Sequence, residues 1–377
     1  MKRDVLIIGG GVIGLSIARE LHKSGLREIA VVEKGVCGKE SSWAAAGMLG
    51  PQAEADEAGP FFDFCCESRD LFPKLAAELI DETGIDIELD RTGTLSLAFD
   101  EEGRRELLQR SRWQLEAGLE HEELSAKEVL EIEPRVSSRV QFGLFFPNDW
   151  QVENRKLLAA LQQYAALNGI SILESTRVDR LIIEDGLIKG GETGPGKINA
   201  EITVLATGAW TSLIKFGDRS APFEIKPVRG QMIEFHPRER FFQHVVYSRR
   251  GYVVPRIEGR ILAGSTSEVV GYDKSVTETA AKDLHAMANE ISDTFAGLEI
   301  GDQWSGLRPF ASDGLPVIGS IADYDGLLIA TAHYRNGILL APLTAKTIAA
   351  SIVRDTRSDM FDLYSPERFS RNRTVGI

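Results

Sequence analysis

Apolar positions near the start of the chain follow a strand–helix–strand pattern. Residues 4–8 form a short apolar run that predicts a buried strand, and residues 12–24 carry Ile17, Ala18 and Leu21 at helical spacing. A second apolar run at residues 29–32 ends on Glu33. This order predicts a βαβ unit, in which two strands are joined by a crossover helix.

The rest of the chain continues as mixed helices and strands. Apolar residues that recur with the 3.6-residue period of an α-helix predict helices at 61–83, 101–117, 125–131, 152–167, 277–291 and 338–353. Alternation or short apolar runs predict strands at 85–89, 94–99, 140–146, 170–173, 178–183, 202–210, 230–235, 251–255, 260–264 and 327–331. No repeat, low-complexity stretch or linker interrupts this pattern, so the fold class is α/β.

The length of 377 residues is too great for one ordinary core, and it predicts two domains. Because the βαβ pattern returns after a middle region of mixed elements, we expect the domains to exchange segments. The predicted first domain contains residues 1–83, 151–218 and 311–377, and the predicted second domain contains residues 84–150 and 219–310.

Between the first predicted strand and helix lies a G-x-G-x-x-G motif. Gly9 permits a tight turn, Gly11 lets backbone approach a pyrophosphate, and Gly14 lets the helix pack close to the strand. Glu33 ends the next strand, where a carboxylate can accept hydrogen bonds from an adenosine ribose and would repel a 2′-phosphate. The pattern favours FAD or NAD without choosing between them, and a plain glycine-rich turn is the competing interpretation.

A loop of small residues follows Glu33. Residues 41–51 read S-S-W-A-A-A-G-M-L-G-P, and small side chains let backbone pass close beside a bulky ligand. The alternative is an alanine-rich helix start packed in the core. The position of the loop, directly after the strand that Glu33 ends, favours the ligand.

Charge and cysteine content exclude several classes of function. The formal net charge of −13 argues against nucleic acid or anionic membranes as partners. Three cysteines, of which Cys65 and Cys66 are adjacent, suit neither a disulfide framework nor a zinc site, and we expect no metal. No apolar run of membrane-spanning length and no signal peptide is recognised, so we expect a cytoplasmic protein.

Four stretches resemble the D-amino acid oxidase/sarcosine oxidase family of FAD proteins. They are the opening glycine motif, S-W-A-A-A-G-M-L at 42–49, W-S-G-L-R-P at 304–309 with D-G-L-P at 313–316, and H-Y-R-N-G-I-L-L-A-P at 333–342. The resemblance covers essentially the whole chain and points to the glycine-oxidising branch that serves thiamine synthesis. It implies an FAD-binding, Rossmann-like domain interleaved with a mixed, largely antiparallel sheet that covers the flavin ring.

The resemblance also implies which residues hold FAD. The pyrophosphate would lie beside the opening glycines, the ribose beside Glu33, and the flavin beside the small-residue loop and the segment after residue 332. The full set is Gly9, Gly11, Val12, Ile13, Gly14, Glu33, Lys34, Ser41, Ser42, Ala46, Gly47, Met48, Val178, His333, Tyr334, Arg335, Asn336, Gly337, Ile338 and Leu339. The helix that begins near Gly337 would direct backbone N–H groups at the ring edge where negative charge collects.

By the same resemblance, Arg308, Tyr252 and Arg335 form the catalytic set. Arg308 and Tyr252 would bind the substrate carboxylate, and the backbone carbonyl of Arg335 would accept from the amine. A salt bridge is the alternative for Arg308, a packed strand aromatic for Tyr252, and a solvent-facing side chain for Arg335. His333 is expected to pack or hydrogen-bond rather than act as a base, and Arg250 and Ser267 are expected near the pocket.

The implied reaction is oxidative deamination of glycine, sarcosine or small D-amino acids, with hydride transfer to the flavin and reduction of O₂ to H₂O₂. The expected partners are therefore a small amino acid and O₂. A quinone-linked D-amino acid dehydrogenase or a sarcosine oxidase-like enzyme is the alternative. No cysteine lies in residues 308–312, where sarcosine oxidases tether the flavin, so noncovalent FAD is expected. The resemblance further suggests a homotetramer.

Overall fold

The computed structural model describes residues 3–354 and 358–371. The strands are β1 (Arg3–Ile8), β2 (Ile29–Val32), β3 (Met48–Leu49), β4 (Thr94–Ala98), β5 (Glu122–Ser125), β6 (Phe142–Phe146), β7 (Trp150–Gln151), β8 (Ser171–Leu173), β9 (Val178–Glu184), β10 (Leu187–Thr193), β11 (Gly196–Leu205), β12 (Lys215–Phe216), β13 (Ile225–Phe235), β14 (Val245–Ser248), β15 (Gly251–Pro255), β16 (Ile261–Gly264), β17 (Ile300–Ala311), β18 (Val317–Ser320) and β19 (Leu327–Thr331).

The helices of the described residues are α1 (Val12–Lys23), α2 (Ser41–Ala44), α3 (Pro51–Glu54), α4 (Pro60–Asp70), α5 (Phe72–Thr83), α6 (Glu101–Glu116), α7 (Ala126–Ile132), α8 (Asn154–Leu167), α9 (Glu278–Ile291), α10 (Gly337–Arg354), α11 (Asp359–Tyr364) and α12 (Arg368–Arg371). Short 3₁₀ helices occupy Gly208–Leu213 and Asp293–Gly297.

The first sheet has β1 near its centre. Strands β8, β2, β1, β11 and β19 run parallel in that order, β18 pairs antiparallel with β19, and β9, β10 and β12 extend the sheet from β11. Alternate residues of β1 enter different cores: Val5 and Ile7 pack with the helices α1, α8 and α10, and Leu6 and Ile8 pack on the opposite face. The predicted βαβ unit is therefore observed, and its strands are covered on both sides.

The second sheet has the order β17-β13-β16-β15-β14-β4-β6-β5. All of these neighbours are antiparallel except β14 and β4, which are parallel. Strands of this sheet come from residues 94–146 and 225–311, between segments that supply the first sheet. The α/β class with a largely antiparallel second sheet is thus the observed architecture.

The predicted domain boundaries stay a prediction. Successive segments of the chain supply strands to the first and the second sheet in turn, in the order that the predicted division has. Residues 1–2, 355–357 and 372–377 of the predicted first domain lie outside the described residues.

Two of the predicted elements differ from the structure. Residues 85–89 are not a strand, because the Asp86 side chain accepts the Glu88 N–H at 2.8 Å and Glu88 has a φ of 53°. The predicted helix 61–83 is two helices, α4 and α5, which meet at Leu71. Pro73 near the start of α5 has no N–H to continue the helical ladder of α4.

Helix α10 corrects the expectation that no apolar run reaches membrane-spanning length. Its 18 residues have a mean hydropathy of 1.3, enough by length and composition to cross a membrane. It packs against α1 and α4, however, and 61% of its residues are buried inside the protein. The core helix of a folded domain passes the same test, and α10 is packed as one.

Candidate active site

The turn between β1 and α1 needs glycine at two positions. A Cβ atom at Gly9, where φ is +113°, would lie 2.3 Å from the Ala206 carbonyl oxygen, and one at Gly14 would lie 2.0 Å from the Gly9 oxygen. Larger residues would therefore push α1 away from β1 and β11. The N–H of Val12 in the first turn of α1 donates to Ser42 Oγ at 3.0 Å, so the start of α1 lies beside the small-residue loop.

Glu33 is buried at the end of β2. Its Oε2 accepts the Gly10 N–H and its Oε1 accepts the Gly35 N–H, each at 3.0 Å. Each carboxylate oxygen has two lone pairs, so both oxygens keep one for a ligand hydroxyl. Lys34 beside it pairs with Glu40 at 3.0 Å and places Nζ 3.0 Å from the centroid of the Trp210 ring.

The small-residue loop is held from the second sheet. Residues 41–44 form the short helix α2, but only Ala44 of them is buried, so this helix is not packed in the core as the alternative interpretation required. Ser41 Oγ donates to the Leu307 carbonyl, and Trp304 Nε1 donates to the Ala44 carbonyl at 3.0 Å. Strand β17 therefore fixes the loop where it lines a long cavity between the two sheets.

Arg256, which sequence reasoning missed, holds the next part of this loop. Its Nη2 donates to the Ala46 carbonyl at 2.9 Å, and its Nη1 donates to the Val152 carbonyl at 2.9 Å. Its Nε lies 3.0 Å from Glu153 Oε2. Burial lowers the pKa of Arg256, and the neighbouring Glu153 carboxylate opposes that shift. This buried cation follows β15 of the second sheet and binds backbone carbonyls that flank the short strand pair β3 and β7.

The segment after β19 closes another side of the cavity. Ala332 and Tyr334 have φ values of 58° and 46°, and α10 starts at Gly337. His333 is buried, its Nε2 lies 3.1 Å from Thr344 Oγ1, and burial lowers its pKa to about 3. His333 is therefore a neutral, hydrogen-bonded imidazole near neutral pH.

Arg308 and Tyr252 lie together at the second-sheet end of the cavity. Arg308 Nη2 donates to Ser265 Oγ at 2.7 Å and Nη1 to the Thr266 carbonyl at 3.1 Å. The Tyr252 hydroxyl donates to the same Ser265 Oγ at 3.2 Å. Gly230 on β13 makes room, because a Cβ there would lie 2.2 Å from Arg308 Nη2.

No carboxylate of the described residues lies within salt-bridge distance of Arg308. Burial lowers the pKa of its guanidinium, and Tyr252 opposes this shift. Since a guanidinium stays protonated in proteins, Arg308 is a cation without an anionic partner. The salt-bridge alternative for this residue has no support in the described part of the chain.

Arg335 does not simply face solvent. Its Nε donates to Glu54 Oε2 at 2.9 Å and its Nη2 to Glu54 Oε1 at 2.8 Å, and the Tyr247 hydroxyl donates to Oε1 at 2.8 Å. Burial acts to raise the pKa of Glu54, but Arg335 outweighs it, so that pKa lies below its ordinary value. Burial and Glu54 raise the pKa of Tyr247, which is therefore a neutral donor.

Almost all of the predicted site residues line this one cavity. Those that line it are Gly9, Gly11, Val12, Ile13, Glu33, Lys34, Ser41, Ser42, Ala46, Gly47, Met48, Val178, Tyr252, Arg308, His333, Tyr334, Arg335, Asn336, Gly337 and Ile338.

Four residues expected at or near the pocket do not line it. Gly14 packs against Gly9, and the Leu339 side chain is buried in the core. Arg250 pairs with Glu290 at 3.2 Å on the surface, and Ser267 is exposed. Glu54 and Tyr247 line the cavity, and sequence reasoning missed both.

The residues present fit FAD. The glycine turn, the free N–H groups of α1 and the two remaining acceptor positions of Glu33 suit a pyrophosphate and an unphosphorylated ribose. The cavity then continues past the small-residue loop to the start of α10, beyond the residues that suit the adenosine half.

Comparisons with known proteins agree with this geometry. The family model described as FAD dependent oxidoreductase matches residues 4–351. The chain is 37% identical to the glycine oxidase of Geobacillus kaustophilus over 100% of its own length and 98% of that protein. It is 34% identical to the bifunctional protein ThiO/ThiG of Synechocystis over 97% of its length, which spans 54% of that protein.

A solved structure shows the same fold. The crystal structure of glycine oxidase from Geobacillus kaustophilus superposes with a TM-score of 0.91 at 35% identity, covering 97% of this chain and 98% of that one. The chain therefore belongs to the family of FAD-dependent oxidoreductases, and FAD is its cofactor.

Proposed function

We propose that this enzyme oxidatively deaminates glycine and other small amines, such as sarcosine and small D-amino acids, and reduces O₂ to H₂O₂. The observation that carries the proposal is Arg308, a half-buried cation without a carboxylate partner among the described residues, in the cavity that fits FAD. The glycine oxidase names of full-length relatives support the choice of substrate.

The substrate carboxylate would be bound by Arg308 and Tyr252. A guanidinium offers two parallel N–H donors that match the two oxygens of a carboxylate, and the tyrosine hydroxyl adds a third donor from β15. The Arg335 carbonyl would accept a hydrogen bond from the amine. The ion pair with Glu54 holds the Arg335 side chain in place, and this stabilises the position of the backbone carbonyl of the same residue.

When bound, FAD supplies the redox chemistry, because it accepts a hydride from the substrate Cα. The residues of the chain bind and orient the substrate and exclude water. No strong base is needed for the hydride transfer itself once the amine is neutral, and the buried, neutral His333 does not offer one.

FAD would be held by the glycine turn, Glu33, the small-residue loop and the segment from His333 to Ile338. None of the three cysteines lines the cavity, and burial raises the pKa of Cys37 to about 12 and of Cys66 to about 11. These thiols are poor nucleophiles, which supports noncovalent FAD. Gly14 and Leu339 would support the site by packing rather than by contact.

The cellular setting is part of the same proposal. A relative named ThiO/ThiG joins a similar chain to a further segment, which supports a role in supplying the oxidised glycine product for thiazole formation in thiamine synthesis. We further propose a cytoplasmic homotetramer with two interleaved domains bounded as the sequence predicts.

The test is peroxide release by purified enzyme. Glycine, sarcosine and D-alanine are supplied to the yellow holoenzyme, and H₂O₂ and ammonia or methylamine are measured together. The Arg308→Ala variant should lose activity at low glycine concentration, whereas Arg250→Ala, which removes an exposed arginine outside the cavity, should not. Reduction of a quinone or dye without peroxide would instead favour a dehydrogenase, and equal glycine affinity in wild type and Arg308→Ala would refute the proposed carboxylate site.

A further inference from the structure

Ser265 lies directly after β16, behind the two residues proposed to bind the carboxylate. Its side chain is half-buried, and its hydroxyl is the meeting point of the Arg308 guanidinium at 2.7 Å and the Tyr252 hydroxyl at 3.2 Å. Ser265 itself does not line the cavity. Its position is therefore one of support for Arg308 and Tyr252 and not of direct contact with a ligand.

The residue next to Ser265 is held by contacts with strands β13 and β17. The Gln231 N–H on β13 donates to Thr266 Oγ1 at 2.9 Å, and the Thr266 carbonyl accepts from Arg308 Nη1. Two consecutive residues, Ser265 and Thr266, thus accept hydrogen bonds from the two terminal nitrogens of one guanidinium. Since these nitrogens lie in one plane, both contacts together set the orientation of that plane.

The hydroxyl of Ser265 can either accept a hydrogen bond from the Tyr252 hydroxyl or donate one to it. A serine hydroxyl has two acceptor positions and one proton. In this structure Arg308 and Tyr252 both donate to it, and no acceptor for the Ser265 proton is found in the described part of the chain. If the Tyr252 proton turns to a carboxylate, the Ser265 proton can turn to the Tyr252 oxygen, so the contact between the two hydroxyls is kept.

We propose that Ser265 is a positioning residue for carboxylate recognition, which holds Arg308 and Tyr252 in one arrangement and lets Tyr252 give its proton to the bound carboxylate. The inference rests on the carboxylate site of the proposed function. It predicts that Ser265 acts on substrate affinity, because neither the cofactor cradle nor the amine contact includes it.

The experiment compares Ser265→Ala, Ser265→Thr and the matched control Ser267→Ala in the holoenzyme. Ser267 is an exposed serine two residues further along and outside the cavity. The Ser265→Ala variant should raise the KM for glycine by about 10-fold, with kcat changed by less than about twofold, the effect of one lost hydrogen bond to a charged group. The Kd of acetate, read from the flavin absorbance spectrum, should rise by the same factor.

Two further readouts separate positioning from a structural role. Ser265→Thr, which keeps a hydroxyl, should recover most of the affinity for acetate. In a double-mutant cycle with Tyr252→Phe, the combined loss should be smaller than the product of the single losses, because Ser265 acts partly through that hydroxyl.

The outcomes distinguish this inference from the proposed function. Wild-type affinity in Ser265→Ala together with weak binding in Arg308→Ala would overturn the role of Ser265 and leave the site standing. Unchanged acetate affinity in both variants would refute the carboxylate site itself. An equal loss in Ser267→Ala, no recovery by threonine, or fully multiplicative losses with Tyr252→Phe would each overturn the inference.

Discussion

Glu54 and Arg335 are joined by two parallel hydrogen bonds, at 2.8 and 2.9 Å, although 281 positions separate them in the chain. The pair connects the short helix α3, which carries Glu54, with the segment between β19 and α10. It therefore ties together two loops that both line the cavity.

Replacing Glu54 by Gln should lower the unfolding free energy by about 1 kcal/mol near neutral pH, because the pair is partly exposed and only its charge attraction is lost. Since the folded state lowers the pKa of Glu54 from its ordinary 4.5, this contribution is fully present above that value and is lost as pH falls through the folded pKa. Urea unfolding of both proteins from pH 3 to pH 8 tests this. A difference that grows in acid would contradict it.

Asp149 lies between β6 and β7, and its buried carboxyl group caps the start of α3. It accepts hydrogen bonds from the N–H groups of Gln52 at 3.2 Å and Ala53 at 2.7 Å. Burial raises its pKa from 3.8 to about 7 in the folded protein. The folded state therefore binds more protons than the unfolded state between these values, and the stabilising contribution present in acid is lost as pH rises through about 7.

We expect the stability of wild type relative to Asp149→Asn to fall between pH 5 and pH 8, by up to about 1.4 kcal/mol per pH unit. Asparagine does not titrate, so any constant effect of the substitution cancels in the pH dependence. Denaturant unfolding over this range measures it. A constant difference between the two proteins would show that Asp149 keeps one protonation state throughout.

Arg256→Lys should weaken FAD binding by about 10-fold or more. Lysine keeps the charge but cannot reach Ala46, Val152 and Glu153 together, so the small-residue loop loses its anchor. Titration of the apoprotein with FAD, followed by flavin fluorescence, gives the Kd. Arg249→Lys, at an exposed arginine between β14 and β15, is the control, and equal FAD affinity in both variants would contradict the anchoring role.

Gly230→Ala should displace the Arg308 guanidinium, because the added Cβ would lie 2.2–2.3 Å from three of its atoms. The expected result is a rise in the KM for glycine of about 30-fold or more, with FAD content unchanged, as expected when a charged hydrogen-bonding group is displaced. Gly194→Ala, where a Cβ meets open space, is the matched control. A wild-type KM in Gly230→Ala would mean that Arg308 does not hold the substrate.

The parts of the site that are contiguous in sequence could be predicted from sequence. The glycines from Gly9 to Gly14 and the acid Glu33 belong to one βαβ unit, and their spacing carries the geometry. Arg308 and Tyr252 lie on different strands, and only the resemblance to a known family connected them. Strand β17 gave no clear pattern because Gly306 and Pro309 interrupt its alternation, and its pairing with β13 overrides that weak propensity.

The supporting residues could not be predicted because their partners are distant in sequence. Arg256 reaches Ala46 across 210 positions, and Ser265 reaches Arg308 across 43. No local pattern marks an arginine or serine for such a contact. Residues 85–89 show a related limit. Their alternation favoured a strand, but the Asp86 side chain accepts the Glu88 N–H and forms a local turn instead.

The position of β1 between β2 and β11 has a consequence for synthesis on the ribosome. Residues 3–8 pair with residues 200–205, and β19 joins β11 only at residues 327–329. Strand β2 is translated soon after β1, but at typical elongation rates β11 follows β1 only after roughly 10–40 s. Nascent chains of this protein therefore leave one edge of β1 unpaired until β11 emerges, and we expect them to engage chaperones that bind apolar segments during that interval.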